Sequence, residues 1–372
     1  MKRLSAIALL LLCALLLVAA LAPGIAWRLA APRPLGVVIV DKTVPDTSYR
    51  SHRAVVWLLN HLKLVHPGSH TPYDAAGDYV GFVPLTNRAW SVRPFPTPLG
   101  QNRVVYIADT YGVTESDLGM PPSVDSGRML YGGLTAADLD ALEGAVRSGA
   151  TLIGEFNTAA EPTVDSVRLR AERLFGFRWT GWTGRRTGDL RRDIPPWAGA
   201  AWERQSGRPW TFEGAGFLLV HRDGRMVVLT GRDVLGWGLD IVPTPAGESL
   251  GLREAPTPQG WFDVVETTGA AVLADYAWRL TPRGDSLVAA AGIPTRASAV
   301  LAHKVGAART YYLAGDFSNL GRVPAWTRLR WGASLHRAVP GWWLPPEESF
   351  FWRGYVPLLT GILDWASGTS GS

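Results

Sequence analysis

The longest uninterrupted apolar stretch of the chain lies at its N-terminus. From Leu4 to Ala22 only Ser5 breaks the apolar run. About 20 helical residues cross the ~30 Å hydrocarbon layer of a bilayer, because each residue adds 1.5 Å. The basic residues Lys2 and Arg3 precede the run, which favours an N-terminus on the inner side. The pattern predicts a membrane anchor that spans the bilayer through residues 4–22.

A cleaved signal peptide would show a similar pattern. The small residues of Ala20-Leu21-Ala22 suit a cleavage site, but Pro23 directly after them does not. Pro23-Gly24 is also expected to end the helix. We favour an uncleaved single-pass anchor. Both alternatives predict that the rest of the chain is periplasmic or extracellular.

The next segments alternate between strand and helix patterns. The apolar runs Leu35–Val40 and Val104–Ala108 are typical of strands buried on both faces, and a third strand is predicted at Thr151–Gly154. Helices are predicted at 48–64 and at 135–149, the second beginning with a Thr-x-x-Asp capping pattern. Such alternation favours parallel strands joined by right-handed crossovers. We therefore expect an α/β fold with a mostly parallel central sheet flanked by helices.

The second half of the chain has a different pattern. Phe217–Val220 and Met226–Leu229 flank a polar turn and predict a hairpin, so an antiparallel β extension is expected there. Helices are predicted at Val323–Val339 and Phe351–Trp365. The expected organisation is an anchor at 1–27, a linker at 28–34, one domain at 35–366 and a disordered tail at 367–372. Within that domain we expect a core at 35–180, a β-rich extension at 181–295, and a closing strand with C-terminal helices at 296–366.

Composition narrows the function classes. A hydrophobic content of 47% fits a folded domain rather than a disordered or many-span chain. The net charge of +5 comes with few dense basic clusters, so no nucleic-acid partner is predicted. Phosphate-binding glycine motifs are missing from the sequence, so no nucleotide is predicted either. Since Cys13 is the only cysteine and lies in the anchor, a thiol nucleophile and a cysteine metal site are excluded. No cofactor and no metal are predicted.

Two segments carry a resemblance to a known family. The first is Gly133-Leu134-Thr135 with its following helix and strand; the second is Lys304-Val305-Gly306 followed by a strand that ends in Gly315-Asp316-Phe317. The arrangement resembles the class I glutamine amidotransferase-like superfamily over 35–175 and 295–320. Catalytic members use a cysteine that this domain lacks. The resemblance therefore implies a divergent, non-catalytic member without amidotransferase activity, of a kind found in carbohydrate-processing and cell-envelope proteins.

Four acidic residues stand at the ends of predicted strands. Ligands of open parallel sheets bind outside the carboxyl ends of the strands, so these residues are expected to share one edge. Carboxylates there suit general acid–base chemistry on a glycosidic bond or binding of a hard cation. Acidic residues in such positions also cap helices and bind loop N–H groups. The predicted catalytic residues are Asp41, Asp109 and Glu155. The neighbouring polar residues predicted to bind ligand are Lys42, Tyr111, Asn157 and Asp316.

Tryptophan is abundant, with 17 residues. Trp179 and Trp182, set among glycines, are predicted as a stacking platform for sugar rings, with core packing as the alternative. Three other motifs are weaker. A Gly-x-Ser-x-Gly match at Ser249, the pattern of a nucleophile elbow, lies between prolines and is expected to be a loop. His52 follows Ser48 by four residues and is expected to be a surface histidine. His66 is not followed by the glutamate that a zinc-protease motif requires.

The sequence predicts a membrane-anchored extracytoplasmic domain that binds or scaffolds, without amidotransferase activity. Its expected ligand is a cell-envelope polysaccharide, with an envelope protein as another partner. The alternative is a carboxylate-dependent glycan hydrolase. Of the two, we favour the domain without enzymatic activity.

Overall fold

The computed structural model describes residues 2–121, 127–319, 323–324, 327–332, 334, 336 and 345–368 of the 372-residue chain. The helices in chain order are α1 (Lys2–Leu29), α2 (Arg53–His61), α3 (Ala136–Arg147), α4 (Asp165–Phe175), α5 (Ala198–Ser206), α6 (Pro245–Ser249), α7 (Pro282–Ala291), α8 (Pro346–Phe350) and α9 (Val356–Ala366). The strands are β1 (Arg33–Pro34), β2 (Gly36–Asp41), β3 (Leu64–Val65), β4 (Val80–Pro84), β5 (Trp90–Arg93), β6 (Asn102–Asp109), β7 (Val113–Thr114), β8 (Met129–Tyr131), β9 (Thr151–Gly154), β10 (Phe177–Thr187), β11 (Gly216–His221), β12 (Met226–Thr230), β13 (Val234–Pro243), β14 (Ala255–Pro256), β15 (Gly260–Thr267), β16 (Ala271–Leu280), β17 (Arg296–Val305) and β18 (Ala308–Leu313).

Helix α1 is long and apolar enough over Leu10–Leu29 to cross a membrane, with a mean hydropathy of 2.4. Such a helix at an N-terminus suits either an anchor or a signal sequence. The prediction that the helix ends at Pro23 is wrong, because α1 continues to Leu29 with Pro23 inside it. Proline removes one backbone donor, but it does not by itself end a helix.

A ten-stranded sheet forms the centre of the described residues, in the order β14-β13-β16-β17-β18-β9-β6-β2-β4-β5. The five adjacent strands β18, β9, β6, β2 and β4 are mutually parallel. The other pairings are antiparallel. The α/β class is confirmed, but a mostly parallel sheet describes only this central part. The sheet as a whole is mixed.

The parallel strands are covered by helices, as their unbroken apolar runs require. Every residue of β2 and of β9 is buried. Helix α3 begins with the predicted capping box, in which Thr135 and Asp138 each bind the other's backbone N–H. Helix α2 is shorter than predicted. Its chain leaves the helical conformation at Lys63, whose φ of 57° is left-handed, and continues into β3.

The β extension is a four-stranded antiparallel sheet in the order β12-β11-β10-β15. It contains the predicted hairpin and also β10, an 11-residue strand that its Gly-Trp-rich sequence did not reveal. A β-bulge between Trp179 and Thr183 interrupts the pairing of β10 with β15. Strand β15 also reaches the main sheet, since Asp316 N–H donates to the Trp261 carbonyl at 2.9 Å.

The C-terminal helical prediction is confirmed by α8, a π-helical turn at Phe351–Tyr355, and α9. Most of the helix predicted at Val323–Val339 lies outside the described residues, as does most of the predicted tail. Helix α9 is held to the start of the domain by an ion pair between Asp364 and Arg33 at 2.9 Å.

Candidate functional site

The four predicted acidic residues interact at the carboxyl edge of the parallel strands, where burial and the charge of Asp316 raise the pKa of both Asp109 and Glu155. Asp41 ends β2 and Asp109 ends β6, and the two are paired in the strand register. The Lys42 N–H donates to the Asp109 carbonyl at 2.8 Å and keeps the strands together beyond that point. Asp316 follows β18, and its negative charge is among the causes that raise the pKa of Asp109. Asp41, Asp109, Glu155 and Asp316 therefore form one electrostatic group.

Asp41 is fully buried and pairs with a histidine that the sequence did not indicate as a partner. His52 Nδ1 lies 2.6 Å from Asp41 Oδ2, and both side chains are 0% exposed. The Ala75 carbonyl lies 2.8 Å from His52 Nε2, so this nitrogen carries a hydrogen. The expectation of a surface histidine at position 52 is wrong. The ring packs on Tyr79 with centroids 4.8 Å apart and closes Asp41 off from solvent.

Lys42 is buried and acts within the fold. Its Nζ donates to the Gly133 carbonyl at 2.8 Å and to Asp138 Oδ2 at 2.6 Å. Burial alone would raise the pKa of Asp138, but the ammonium of Lys42 and bonds from Thr135 outweigh it and lower that pKa. Lys42 thus fixes the start of α3 against β2, and its predicted ligand-binding role is not supported.

Glu155 is also sealed inside the protein. Its Oε1 accepts from the Tyr106 hydroxyl, and its Oε2 lies 2.9 Å from Ser318 N and 2.7 Å from Ser318 Oγ. The hydroxyl of Ser318 has one hydrogen, and the Ser51 carbonyl lies 2.5 Å from the same Oγ. That single hydrogen faces two acceptors, the Ser51 carbonyl and Glu155 Oε2, and a protonated Glu155 would satisfy both contacts. Burial, the largest cause, raises the pKa of Glu155 to about 8, which agrees with a neutral acid.

This arrangement overturns the prediction of Glu155 as a catalytic residue at an open edge. The side chain is 0% exposed and both of its oxygens are occupied by protein groups. Among the described residues, the loop at Ser318 covers this strand end. Glu155 instead joins the end of β9 to that loop.

Asp109 and Asp316 keep the properties expected of a functional site. Burial, and then the charges of Asp316 and Asp41, raise the pKa of Asp109 well above its usual value. Burial raises the pKa of Asp316 to about 6, although Asn319 and the cations Arg50 and Arg185 act in the opposite direction. Asp316 Oδ2 accepts from Asn319 Nδ2 at 2.6 Å. Two carboxyl groups with raised pKa values therefore lie together at this edge.

Three buried polar atoms near these carboxylates have no hydrogen-bond partner among the described residues: Asp316 Oδ1, Asn157 Nδ2 and Arg185 Nε. Asn157 and Asp316 lie on touching loops, since Phe156 N–H donates to the Gly315 carbonyl at 3.4 Å. Asn157 has a left-handed φ of 66°, a conformation that asparagine tolerates well. Buried polar groups are normally satisfied, so three such atoms indicate a hydrogen-bonding capacity that the fold does not use.

A tryptophan and an arginine from the β extension complete this group. The guanidinium of Arg185 lies 5.4 Å from the ring centroid of Trp261, and Phe156 stacks on Trp261 at 6.3 Å. Arg185 comes from β10 and Trp261 from β15, so the extension brings them to the edge of the main sheet. The sequence did not identify either residue, because neither stands in a recognisable motif.

Tyr111 stands at the rim, where its side chain is 43% exposed, and its N–H donates to Asp109 Oδ1 at 2.7 Å. The proposed sugar platform is not supported. Trp179 and Trp182 are 7% and 2% exposed, and the Trp179 indole donates to the Trp182 carbonyl at 2.9 Å. These rings pack in the core because β10 is covered on both sides, so no sugar ring can stack on them.

The weaker motifs have structural roles. Ser249 ends the short helix α6 and bonds the Ala246 carbonyl at 2.7 Å, rather than standing on a strand-to-helix turn. His66 Nε2 lies 3.0 Å from Asp78 Oδ2. Within the described residues, no group of three His, Cys, Asp or Glu side chains is arranged to hold a metal ion.

No family model matches this sequence, and no curated protein matches it. Solved structures with a partial likeness include a β-galactosidase from Bacillus circulans sp. alkalophilus, at 12% identity and a TM-score of 0.35. The match covers 77% of this chain and 30% of the β-galactosidase chain. The carbohydrate deacetylase Agd3 has 10% identity and a TM-score of 0.35, and the match covers 89% of this chain and 33% of the deacetylase chain. An exo-β-1,4-mannosidase from Opitutaceae bacterium strain TAV5 has 11% identity and a TM-score of 0.33, and the match covers 88% of this chain and 36% of the mannosidase chain. The chain spans about a third of the length of these proteins.

Proposed function

We propose that this chain is a membrane-anchored, extracytoplasmic domain that binds a glycan at the carboxyl edge of its parallel strands. The observation that carries the proposal is the set of unsatisfied buried atoms on Asp316, Asn157 and Arg185. They offer an acceptor, an amide donor and a guanidinium donor beside Asp109. A polyhydroxylated ligand both donates and accepts hydrogen bonds, so it matches this mixture.

Two features indicate a polysaccharide as the ligand: the predicted location of the domain, and the side chains at the carboxyl edge of the parallel strands. With α1 in the membrane and the domain outside, envelope polysaccharides are the abundant polyhydroxylated partners. The exposed ring of Tyr111 stands next to Asp109 and supplies an apolar surface for a sugar. The amidotransferase-like origin of the core stays a prediction, and the proposed activity is independent of it.

The binding site is tested by removing one unsatisfied atom at a time. In full-length protein held in detergent micelles, we expect Asn157→Asp and Asp316→Asn each to weaken binding on an array of bacterial envelope glycans by about tenfold or more, because a hydrogen bond to a buried polar group is lost. Aspartate tolerates the left-handed conformation at position 157, so the backbone conformation is kept there. Asp285→Asn, on the exposed start of α7, is the matched control. Undiminished binding by both site variants would remove this edge from the proposal.

The position of the domain is tested with the full chain fused at its C-terminus to alkaline phosphatase, which is active only outside the cytoplasm. We expect phosphatase activity in the membrane fraction and an intact mass that includes residues 2–29. Leu12→Arg with Leu16→Arg should lower membrane insertion, since each arginine costs about 2.5 kcal/mol or more at the centre of a span. A soluble, shortened species would show that the segment is a cleaved signal peptide.

A glycan hydrolase is the second candidate, and the raised pKa values of Asp109 and Asp316 favour it. A protonated Asp109 would serve as a general acid, and Asp316, with a pKa of about 6, would be ionised at neutral pH and serve as a base. The readout is release of reducing ends from a glycan that binds the array. Activity lost in Asp109→Asn with binding retained would establish the hydrolase; binding without release in the unmodified chain would reject it.

A further inference from the structure

A cavity lies where α1 joins the domain, away from the carboxyl edge of the parallel strands. Its volume is about 420 Å³, and the residues that line it include Trp27, Arg33, His61, Lys63, Arg330 and Trp331. It faces the amino ends of the parallel strands, since the chain enters β2 from Arg33. The glycan site at Asp109 and Asp316 is at the carboxyl ends. The two sites are therefore separate.

The cavity stands at the depth of a membrane interface. With residues 4–22 crossing the hydrocarbon layer, Trp27 is about 7 Å further along the helix axis. The Trp27 indole donates to the His61 carbonyl at 2.7 Å, which ties the helix to the domain. Arg330 N–H donates to the Pro23 carbonyl at 3.1 Å, so the segment around Arg330 touches the end of the span.

The charge around this cavity is strongly positive. Lys63 Nζ lies 3.9 Å from the Trp27 ring centroid and the Arg330 guanidinium 5.8 Å from that of Trp331. Among the described residues no carboxylate forms an ion pair with Lys63 or Arg330, whereas Arg33 pairs with Asp364. The sequence from 320 to 344 has no Asp or Glu at all. The arginines of this segment that the structure describes are Arg328 and Arg330.

Unused hydrogen-bonding atoms accompany this charge. His61 Nδ1 and Arg328 Nε are among the described buried atoms that have no hydrogen-bond partner. Burial, and then the charge of Arg328, lower the pKa of His61 to about 4, so its ring is neutral at pH 7. A neutral imidazole with its hydrogen on Nδ1 donates to an oxygen anion. The cavity thus combines two cations with a neutral donor.

We propose that this cavity binds the phosphate headgroup of an anionic phospholipid in the leaflet where α1 emerges. Lys63 and Arg330 attract the phosphate, and His61 Nδ1 donates to it. The acyl chains lie along the exposed apolar side chains of Leu17, Val18 and Leu21 on α1. Tryptophan is enriched at this depth of membranes, which Trp27 and Trp331 match. This inference rests on the proposed uncleaved anchor, and it is independent of the glycan site.

The source of the phosphate follows from the surroundings. A free phosphate ion needs only the cations, and it gains nothing from apolar surface. Here the cations are arranged around the exit of an apolar helix, so a ligand with a charged head and apolar tails uses both features. A phospholipid is such a ligand.

The test uses the full-length chain in nanodiscs that contain equal amounts of phosphatidylglycerol and phosphatidylcholine, followed by gentle release into a native mass spectrometer. We expect phosphatidylglycerol to be the retained adduct. Lys63→Gln with Arg330→Gln should lower the ratio of the two adducts by about 25-fold, since each cation near an anionic lipid contributes about fivefold. Arg208→Gln with Arg232→Gln removes the same charge from exposed positions of the β extension and should leave the ratio unchanged.

Equal retention of the two lipids, or an unchanged ratio in the Lys63→Gln/Arg330→Gln protein, overturns the proposal. Displacement of the lipid by millimolar inorganic phosphate would assign the cavity to a free anion instead and also overturns it. The same spectrum separates this outcome from failure of the anchor, because a cleaved chain lacks the mass of its N-terminal segment. Loss of the glycan site would leave the adduct ratio unaffected.

Discussion

His52→Ala is expected to lower the free energy of unfolding by about 3–5 kcal/mol, because it leaves the carboxyl of Asp41 buried without its partner. The two side chains are 2.6 Å apart and fully enclosed, so water cannot replace the imidazole. Asp41 Oδ1 would keep its bond from Thr43 N–H at 2.9 Å, but Oδ2 would lose its bond with His52 Nδ1. The measurement is chemical denaturation of the domain followed by circular dichroism.

A double substitution separates the free energy of the interaction between His52 and Asp41 from the free energy lost by leaving a cavity. His52→Ala combined with Asp41→Ala should be less destabilised than the sum of the two single variants, because the uncompensated carboxyl is then absent. His66→Ala is the matched control, since His66 also contacts an aspartate, Asp78, but at a partly exposed position. It should change stability by about 1 kcal/mol or less. A fully additive cycle for His52 and Asp41 would contradict the buried pair.

Stability is expected to fall as the pH rises through the weakly acidic and neutral range, because of Glu155. The folded chain holds this proton up to a pKa of about 8, whereas the ordinary value is 4.5. A raised folded-state pKa means that the folded state binds the proton more tightly than the unfolded state. The contribution is therefore full below about pH 4.5 and is lost as the pH approaches 8. Its size is on the order of 3–5 kcal/mol.

Glu155→Gln isolates this effect. A glutamine offers Oε1 to the Tyr106 hydroxyl and its amide to Ser318 Oγ, but the amide also meets Ser318 N–H, donor against donor. We expect this variant to lose about 1–3 kcal/mol at low pH and to show a smaller slope between pH 5 and 8, because Asp316 and Asp263 still contribute to it. Urea titrations of both proteins across this range measure the difference. An unchanged slope in Glu155→Gln would show that another group causes it, and Asp316 and Asp263, each with a pKa near 6, would be next.

The neutral state of Glu155 illustrates how a strand-end carboxylate can serve packing rather than chemistry. Sequence reasoning placed Asp41, Asp109, Glu155 and Asp316 at one edge, and their position at strand ends is confirmed. It predicted Asp41, Asp109 and Glu155 as catalytic and Asp316 as ligand-binding. The fold separates them: His52 closes Asp41, Ser318 and Tyr106 close Glu155, and only Asp109 and Asp316 stay beside unsatisfied polar groups.

By itself the sequence determined those features that depend on neighbours along the chain. The apolar N-terminal helix, the buried strands β2, β6 and β9, and the Thr135 capping box depend on local hydrophobic pattern and local hydrogen bonds. Their presence was predicted correctly, although the N-terminal helix continues past Pro23. Tertiary structure alone decided which side chains are exposed and which meet. His52 is 11 residues from Asp41, Arg185 and Trp261 come from another sheet, and Arg330 touches Pro23 from the far end of the chain. Such contacts arise from burial and from the pairing of distant strands, and no short-range pattern encodes them.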